Sequence, residues 1–184
     1  MKFFRVPNVR LLSSVGVVVA VSAVTLTSPA SAQDAKEAMA AFIDANATSY
    51  AAVAQEIWEL AEVGYMETES SEKLQGMLRS AGFEIASGVA GIPTAFVASY
   101  GGGGPVIGIM GEYDALPGIN QSRSAERDPI PGKIVGHACG HHLFGTGSVA
   151  AALAVKEWLD ETGAPGTIRV YGTPAEEGGA GKVY

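Results

Sequence analysis

Residues 136–145, GHACGHHLFG, contain the only cysteine and all three histidines of this 184-residue chain. Cys139 and His141 lie two positions apart, and glycines at 136 and 140 leave the backbone free to turn. On an extended or turning backbone, side chains at this spacing point the same way, whereas on a helix they diverge. A thiolate and an imidazole held together suit Zn²⁺ or a similar borderline-soft cation. The segment therefore predicts a metal site.

Two adjacent carboxylates, Glu176 and Glu177, lie in a second glycine-flanked segment, GTPAEEGG. This segment follows a β-rich run, so the pair is predicted to lie on a loop at the end of a strand. Neighbouring side chains on such a loop can point in different directions, one towards a cation and one towards a water molecule. Metal-assisted hydrolysis needs both roles. A third polar segment, GEYDALPG, supplies Asp114.

The predicted secondary structure is that of an α/β protein. Helical periodicity runs through 34–79, where a second helix is predicted to begin at 68–71, and the β-rich runs FEIAS, TAFVASY and PVIGIMGEY follow. A helix over 143–162 then separates the strand at 105–110 from the strand at 167–171. This order is the βαβ unit of a largely parallel α/β sheet.

The three polar segments occupy equivalent places in this βαβ unit. Segments 111–118 and 172–179 begin where the two strands stop, and segment 136–142 opens the helix between them. In open α/β sheets, the carboxyl ends of parallel strands and the adjoining helix starts form the crevice that binds ligands. We therefore expect all three segments to converge on one edge of the sheet.

Residues 1–32 have the layout of a secretory signal peptide. A basic start precedes an apolar run over 11–27, and a small-x-small cleavage site lies at 30–32. The apolar run is short for a bilayer and contains Ser and Thr, which disfavours an uncleaved anchor. We expect an exported protein, periplasmic or secreted, that begins at Gln33, with residues 33–184 as its folded part.

The chain is acidic, with 19 Asp and Glu against 12 Lys and Arg and a formal net charge of −7. It has no basic run, which excludes an electrostatic surface for nucleic acid or anionic lipid. A single cysteine in an exported chain forms no internal disulfide. Cys139 is therefore buried, paired between chains, or used for its chemistry.

Two other interpretations of the cysteine segment stay open on the residues alone. One makes Cys139 a nucleophile that is activated by His141 or His137, as in thiol hydrolases. The other is a non-catalytic chain in which Cys139 is a small buried residue, the tandem glutamates form a solvated pair, and Asp114 caps a turn.

The segments GEYDALPG, GHACGHHLFGTGSVAAALAVK and GTIRVYGTPAEEGGAGKV closely resemble the amidohydrolase branch of the aminoacylase/carboxypeptidase-type metallopeptidases. The resemblance covers essentially all of the chain after the predicted signal peptide. It implies a three-layer αβα zinc-peptidase-like catalytic domain, of which residues 33–184 are the N-terminal portion. It also implies metal-dependent hydrolysis of the amide bond between an acyl or aroyl group and an amino acid, as in aminobenzoyl-glutamate.

The resemblance implies roles for five residues. Cys139 and His141 correspond to the metal ligands of an H-A-C-G-H motif, Glu177 corresponds to a further ligand, and Glu176 to the general base. Asp114 corresponds to an aspartate that supports the ligands from behind. The implied cofactor is one or two divalent cations, zinc or manganese or alternatively cobalt. At 142 the family usually has Asn or Asp, whereas this chain has histidine.

The resemblance also implies that the complete enzyme is longer. Members of the family continue through another histidine ligand, a dimerisation domain and a last histidine, whereas this chain has no histidine after His142. We therefore expect this chain to be the first part of the enzyme, and a non-catalytic fragment that at most binds metal stays open as the alternative. For the complete enzyme, the resemblance implies a homo- or hetero-oligomer with a small-molecule N-acyl amino acid substrate, no nucleic acid partner and no stable membrane anchor after signal cleavage.

Overall fold

The computed structural model describes residues 32–184, which begin with three helices. The predicted signal peptide lies outside the described residues except for Ala32, its last residue. The helices are α1 (Ala32–Ala45), α2 (Ala47–Leu60) and α3 (Thr68–Ser80). The first predicted helix is therefore two helices, because the Asn46 side chain donates a hydrogen bond to the Phe42 carbonyl and stops α1.

Strands and two further helices follow α3. The strands are β1 (Glu84–Ser87), β2 (Phe96–Gly102), β3 (Val106–Gly111), β4 (Leu116–Pro117), β5 (Val135–Gly136) and β6 (Gly166–Gly172). Helix α4 (His141–Thr162) precedes β6, and a single helical turn, α5 (Glu176–Gly179), follows it. Four strands form one sheet in the order β1-β2-β6-β3, and β4 pairs with β5 in a separate two-residue ladder.

The βαβ unit predicted from the sequence is confirmed, because β3 and β6 are parallel neighbours with α4 between them. The prediction of a largely parallel sheet is wrong, because β2 is antiparallel to both β1 and β6. The connection 88–95 between β1 and β2 is too short for a parallel crossover, so it returns the chain in the opposite direction. The sheet of this α/β fold is therefore mixed.

The core lies between the sheet and the helices. Helix α4 packs on β3 and β6, α3 packs on β1 and β2, and α1 and α2 pack on α4. Along β6, Ile168 and Val170 are buried, whereas Arg169 between them is exposed on the opposite face. The described residues thus supply the sheet and one helical layer of the predicted architecture, and β3 is an edge strand of that sheet.

Within residues 32–184, no helix combines the length and apolar character needed to cross a bilayer. The longest, α4, has 22 residues and carries Lys156, Glu157 and Asp160 on its outer surface.

Gly145 sets how closely α4 approaches the end of β3. A Cβ atom at Gly145 would lie 2.7 Å from the carbonyl oxygen of Glu112 and 3.0 Å from Cδ1 of Leu74. The missing side chain therefore lets the first turn of α4 contact the segment that follows β3. His141 and Asp114 lie on the two sides of this contact.

We predict that Gly145→Ala lowers the free energy of unfolding by about 1–3 kcal/mol, because the added methyl group separates α4 from β3. Gly147→Ala in the same helix is the matched control, since nothing lies within 4 Å of a Cβ at that position. The control gains about 0.5–1 kcal/mol because alanine loses less backbone entropy than glycine on folding. Denaturant unfolding of the two variants measures both effects. Equal stability of the two variants would contradict the packing role of Gly145.

Candidate metal centre

His141 is the first residue of α4, two residues earlier than the predicted helix start. Gly140 precedes it with φ +97°, a left-handed conformation that glycine adopts readily. This turn separates Cys139, which is exposed in the preceding loop, from His141, which is only 5% exposed. The sequence prediction that Cys139 and His141 lie across a turning backbone therefore matches their placement.

Asp114 holds the His141 ring from one side. Its Oδ1 lies 2.9 Å from Nδ1 of His141, and its Oδ2 accepts a hydrogen bond of 2.9 Å from the backbone N–H of Glu177. A carboxylate at one ring nitrogen fixes the orientation of an imidazole and raises the basicity of the other nitrogen. The buried Asp114 therefore links His141 to the tandem glutamates.

The tandem glutamates occupy the first turn of α5. Ala175 precedes them in a left-handed conformation with φ +57°. The Glu177 side chain is 16% exposed and that of Glu176 is 29% exposed. Among the described residues, the buried Oε1 of Glu177 has no hydrogen-bond partner. The Glu177 carboxylate is therefore turned inwards, and the Glu176 carboxylate is more open to solvent.

Two groups of potential metal ligands share His141. One consists of Cys139, His141 and Glu177, and the other of Glu112, His141 and Glu176. In each group, ligand atoms of the three residues lie within 4.8 Å of one another. Sulfur, imidazole nitrogen and carboxylate oxygen together suit Zn²⁺ and similar divalent cations. The partnerless Glu177 oxygen supplies an open ligand position, so the residues present fit a bound divalent metal.

Sequence reasoning missed two residues of this site, Glu112 and Lys182. Oε2 of Glu112 lies 3.1 Å from Nε2 of His141, and the Lys182 ammonium contacts Glu112 at 2.9 Å and Glu176 at 3.1 Å. Glu112 directly follows β3, two residues before Asp114. Because ligand sites form at the carboxyl ends of parallel strands, this position could have been predicted to lie in the site. Lys182 had no comparable signal, because it reaches the site only through the fold of the segment after α5.

His137 and His142 belong to neither ligand group. His137 is buried, and its Nε2 lies 3.1 Å from the carbonyl oxygen of Ile57, which identifies it as a donor to that carbonyl. Burial lowers the pKa of His137 to about 4, and burial also lowers the pKa of His142. The two rings lie 5.0 Å apart. Both histidines therefore pack as neutral rings beside the site.

The surroundings of Cys139 favour a metal ligand over a nucleophile. The Glu177 carboxylate raises the pKa of the exposed thiol. Reactive cysteines require the opposite, a cationic environment that lowers the pKa. Nδ1 of His141 contacts Asp114, and Nε2 of His137 contacts the Ile57 carbonyl, so these two ring nitrogens already have partners other than the thiol. A bound cation would instead favour the thiolate.

Known proteins resemble this chain both in sequence and in structure. Residues 108–184 match the sequence profile of peptidase family M20/M25/M40. The chain is 46% identical over 144 residues to one subunit of the p-aminobenzoyl-glutamate hydrolase of Escherichia coli, covering 77% of this chain and 30% of that protein. It is 32% identical over 154 residues to Xaa-Arg dipeptidase of Mus musculus, covering 77% and 32%.

A solved structure shares the fold of this chain. The YXEP protein of Bacillus subtilis, a dinuclear metal-binding peptidase of the M20 family, superimposes with a TM-score of 0.61 and 27% identity over 73% of this chain and 36% of that one. This chain spans about a third of the length of the curated relatives that it matches. The sequence match and the fold together place residues 108–184 in peptidase family M20/M25/M40.

Proposed function

We propose that this chain carries part of the metal centre of an amidohydrolase that cleaves the bond between an acyl or aroyl group and an amino acid. The observation that carries the proposal is the meeting of Cys139, His141 and Glu177, whose ligand atoms lie within 4.8 Å of one another. Cys139 lies in the loop between β5 and α4, His141 is the first residue of α4, and Glu177 lies in α5, after the carboxyl end of β6. Family membership adds metal-dependent hydrolysis as the class of reaction.

In this proposal, each polar residue of the site has a separate task. Cys139, His141 and Glu177 hold a divalent cation, which when bound polarises the scissile carbonyl and activates water. Glu176 accepts a proton from the attacking water and donates it to the leaving amine. Its side chain is 29% exposed, so water can reach this carboxylate. Asp114 keeps the His141 ring in place.

A cleft beside Glu177 offers room for part of the substrate. Its volume is about 360 Å³, and its lining includes Val63, Leu116 and Pro117 together with Asp114 and Glu177. An aromatic acyl group fits a cleft that combines apolar side chains with carboxylates. This supports an N-acyl or N-aroyl amino acid as substrate, with p-aminobenzoyl-glutamate as the first compound to test because of the Escherichia coli relative.

The assembly and the location of the protein are parts of the same proposal. The Escherichia coli relative is named as one subunit of its enzyme, which supports a hetero-oligomer. The signal-peptide pattern over 1–32 supports export to the periplasm or the medium. Zinc, manganese and cobalt all suit the ligand set.

We predict that one divalent cation binds with release of a thiol proton. Wild type should release about one more proton per Zn²⁺ than Cys139→Ser at neutral pH, because the thiol, whose pKa is raised, must become a thiolate. Affinity for Zn²⁺ should therefore rise with pH in wild type more steeply than in the variant. Calorimetry in buffers of different ionisation enthalpy measures the protons. Equal proton release by both proteins would remove Cys139 from the ligand set.

We predict that Glu176→Gln leaves metal affinity intact and lowers the rate of p-aminobenzoyl-glutamate hydrolysis by about 10²- to 10⁴-fold, because the amide cannot accept the proton of water. Glu157→Gln on the exposed surface of α4 is the control and should keep wild-type activity. Release of p-aminobenzoate measures turnover. Full activity of Glu176→Gln would exclude the general-base role. Metal binding without turnover by wild type would favour a non-catalytic chain.

A further inference from the structure

Glu67 is a fully buried carboxylate that lies outside the three polar segments of the metal centre. It directly precedes α3, and its side chain is 0% exposed. A buried carboxylate is expensive unless hydrogen bonds or a partner charge compensate it. No ion pair with Lys or Arg reaches Glu67 among the described residues, and burial raises the pKa of its carboxyl group. Its hydrogen bonds must therefore account for its presence.

The hydrogen bonds of Glu67 lead to the turn before the tandem glutamates. Its Oε1 accepts a hydrogen bond of 2.7 Å from the backbone N–H of Ala175, 108 residues away in the chain. Its Oε2 accepts one of 3.1 Å from the Thr94 hydroxyl. The Thr94 carbonyl in turn accepts hydrogen bonds from the hydroxyl groups of Tyr113 and Ser71. One carboxylate thus joins the start of α3, the start of β2 and the turn after β6.

Ala175 is the residue whose conformation directs Glu176 and Glu177. It has φ +57°, which is unfavourable for a residue with a Cβ atom, so contacts must hold it there. Two such contacts are present. Gly64 packs so closely that an added Cβ would lie 2.9 Å from that of Ala175, and Glu67 binds the N–H group.

We propose that Glu67 is a positioning residue of the metal centre: by holding the Ala175 N–H, it fixes the left-handed turn that directs Glu177 towards Cys139 and His141. The inference rests on the proposed function, since it assumes that a cation binds to these residues. Glu67 belongs to neither ligand group and does not itself line the substrate cleft, although its partner Ala175 does. Its effect passes through one backbone group.

The test compares Zn²⁺ affinity, by chelator competition, and the Co²⁺ absorption spectrum in four full-length chains. Glu67→Leu loses the acceptor for the Ala175 N–H and should bind Zn²⁺ about tenfold or more weakly, with altered Co²⁺ bands. Glu67→Gln keeps an acceptor oxygen and should restore both properties. Gln75→Leu is the matched control, because it removes a buried side chain of α3 that hydrogen-bonds Ser71 and Ser87 but does not reach Ala175. It should bind as wild type does.

The outcomes separate the two proposals. If wild type binds neither cation, the proposed metal centre is wrong. If wild type binds and a folded Glu67→Leu binds equally well, only the positioning role is overturned. A Gln75→Leu chain that loses as much affinity as Glu67→Leu also overturns it, because general damage to α3 would then explain the effect. If Glu67→Leu does not fold, Glu67→Asp decides in the same way, since its shorter side chain cannot reach the Ala175 N–H.

Discussion

The candidate metal centre depends on the carboxylate of Asp114. One of its oxygens contacts the imidazole of His141, and the other accepts a hydrogen bond from the backbone N–H of Glu177. Its position follows from the sheet. Strands β3 and β6 are parallel and end in register at Gly111 and Gly172, so the segments that follow them leave the sheet side by side. Asp114 and Glu177 therefore meet although 63 residues separate them in the chain.

The site concentrates negative charge around one ring. Carboxylates of Glu112, Asp114, Glu176 and Glu177 all lie within 4 Å of the nitrogens of His141. Carboxylates that are gathered around one ring repel one another unless a cation lies among them. Lys182 contributes one positive charge at the outer edge, next to Glu112 and Glu176. A divalent cation at the thiol side would offset a further part of this negative charge, which is the electrostatic reason that the arrangement suits a metal.

Local sequence patterns predicted the parts of the fold that depend on nearby residues. The βαβ unit and the convergence of its polar ends followed from strand length, helix periodicity and a general rule of parallel sheets. The antiparallel pairing of β2 with β6 depends on long-range packing, which no local pattern contains. The hydrogen bond between Glu67 and Ala175 could not be predicted for the same reason. In the sequence, Glu67 is an ordinary acidic residue at a helix start, and Ala175 comes near it only when the chain folds.

Strand β3 combines an unpaired backbone edge with apolar side chains. Val106, Ile107 and Met110 are each at least half exposed, and the described residues place no further strand beside them. A free edge of this kind is a template on which another polypeptide can add a strand. The 184-residue chain in isolation is therefore expected to self-associate through β3 as its concentration rises.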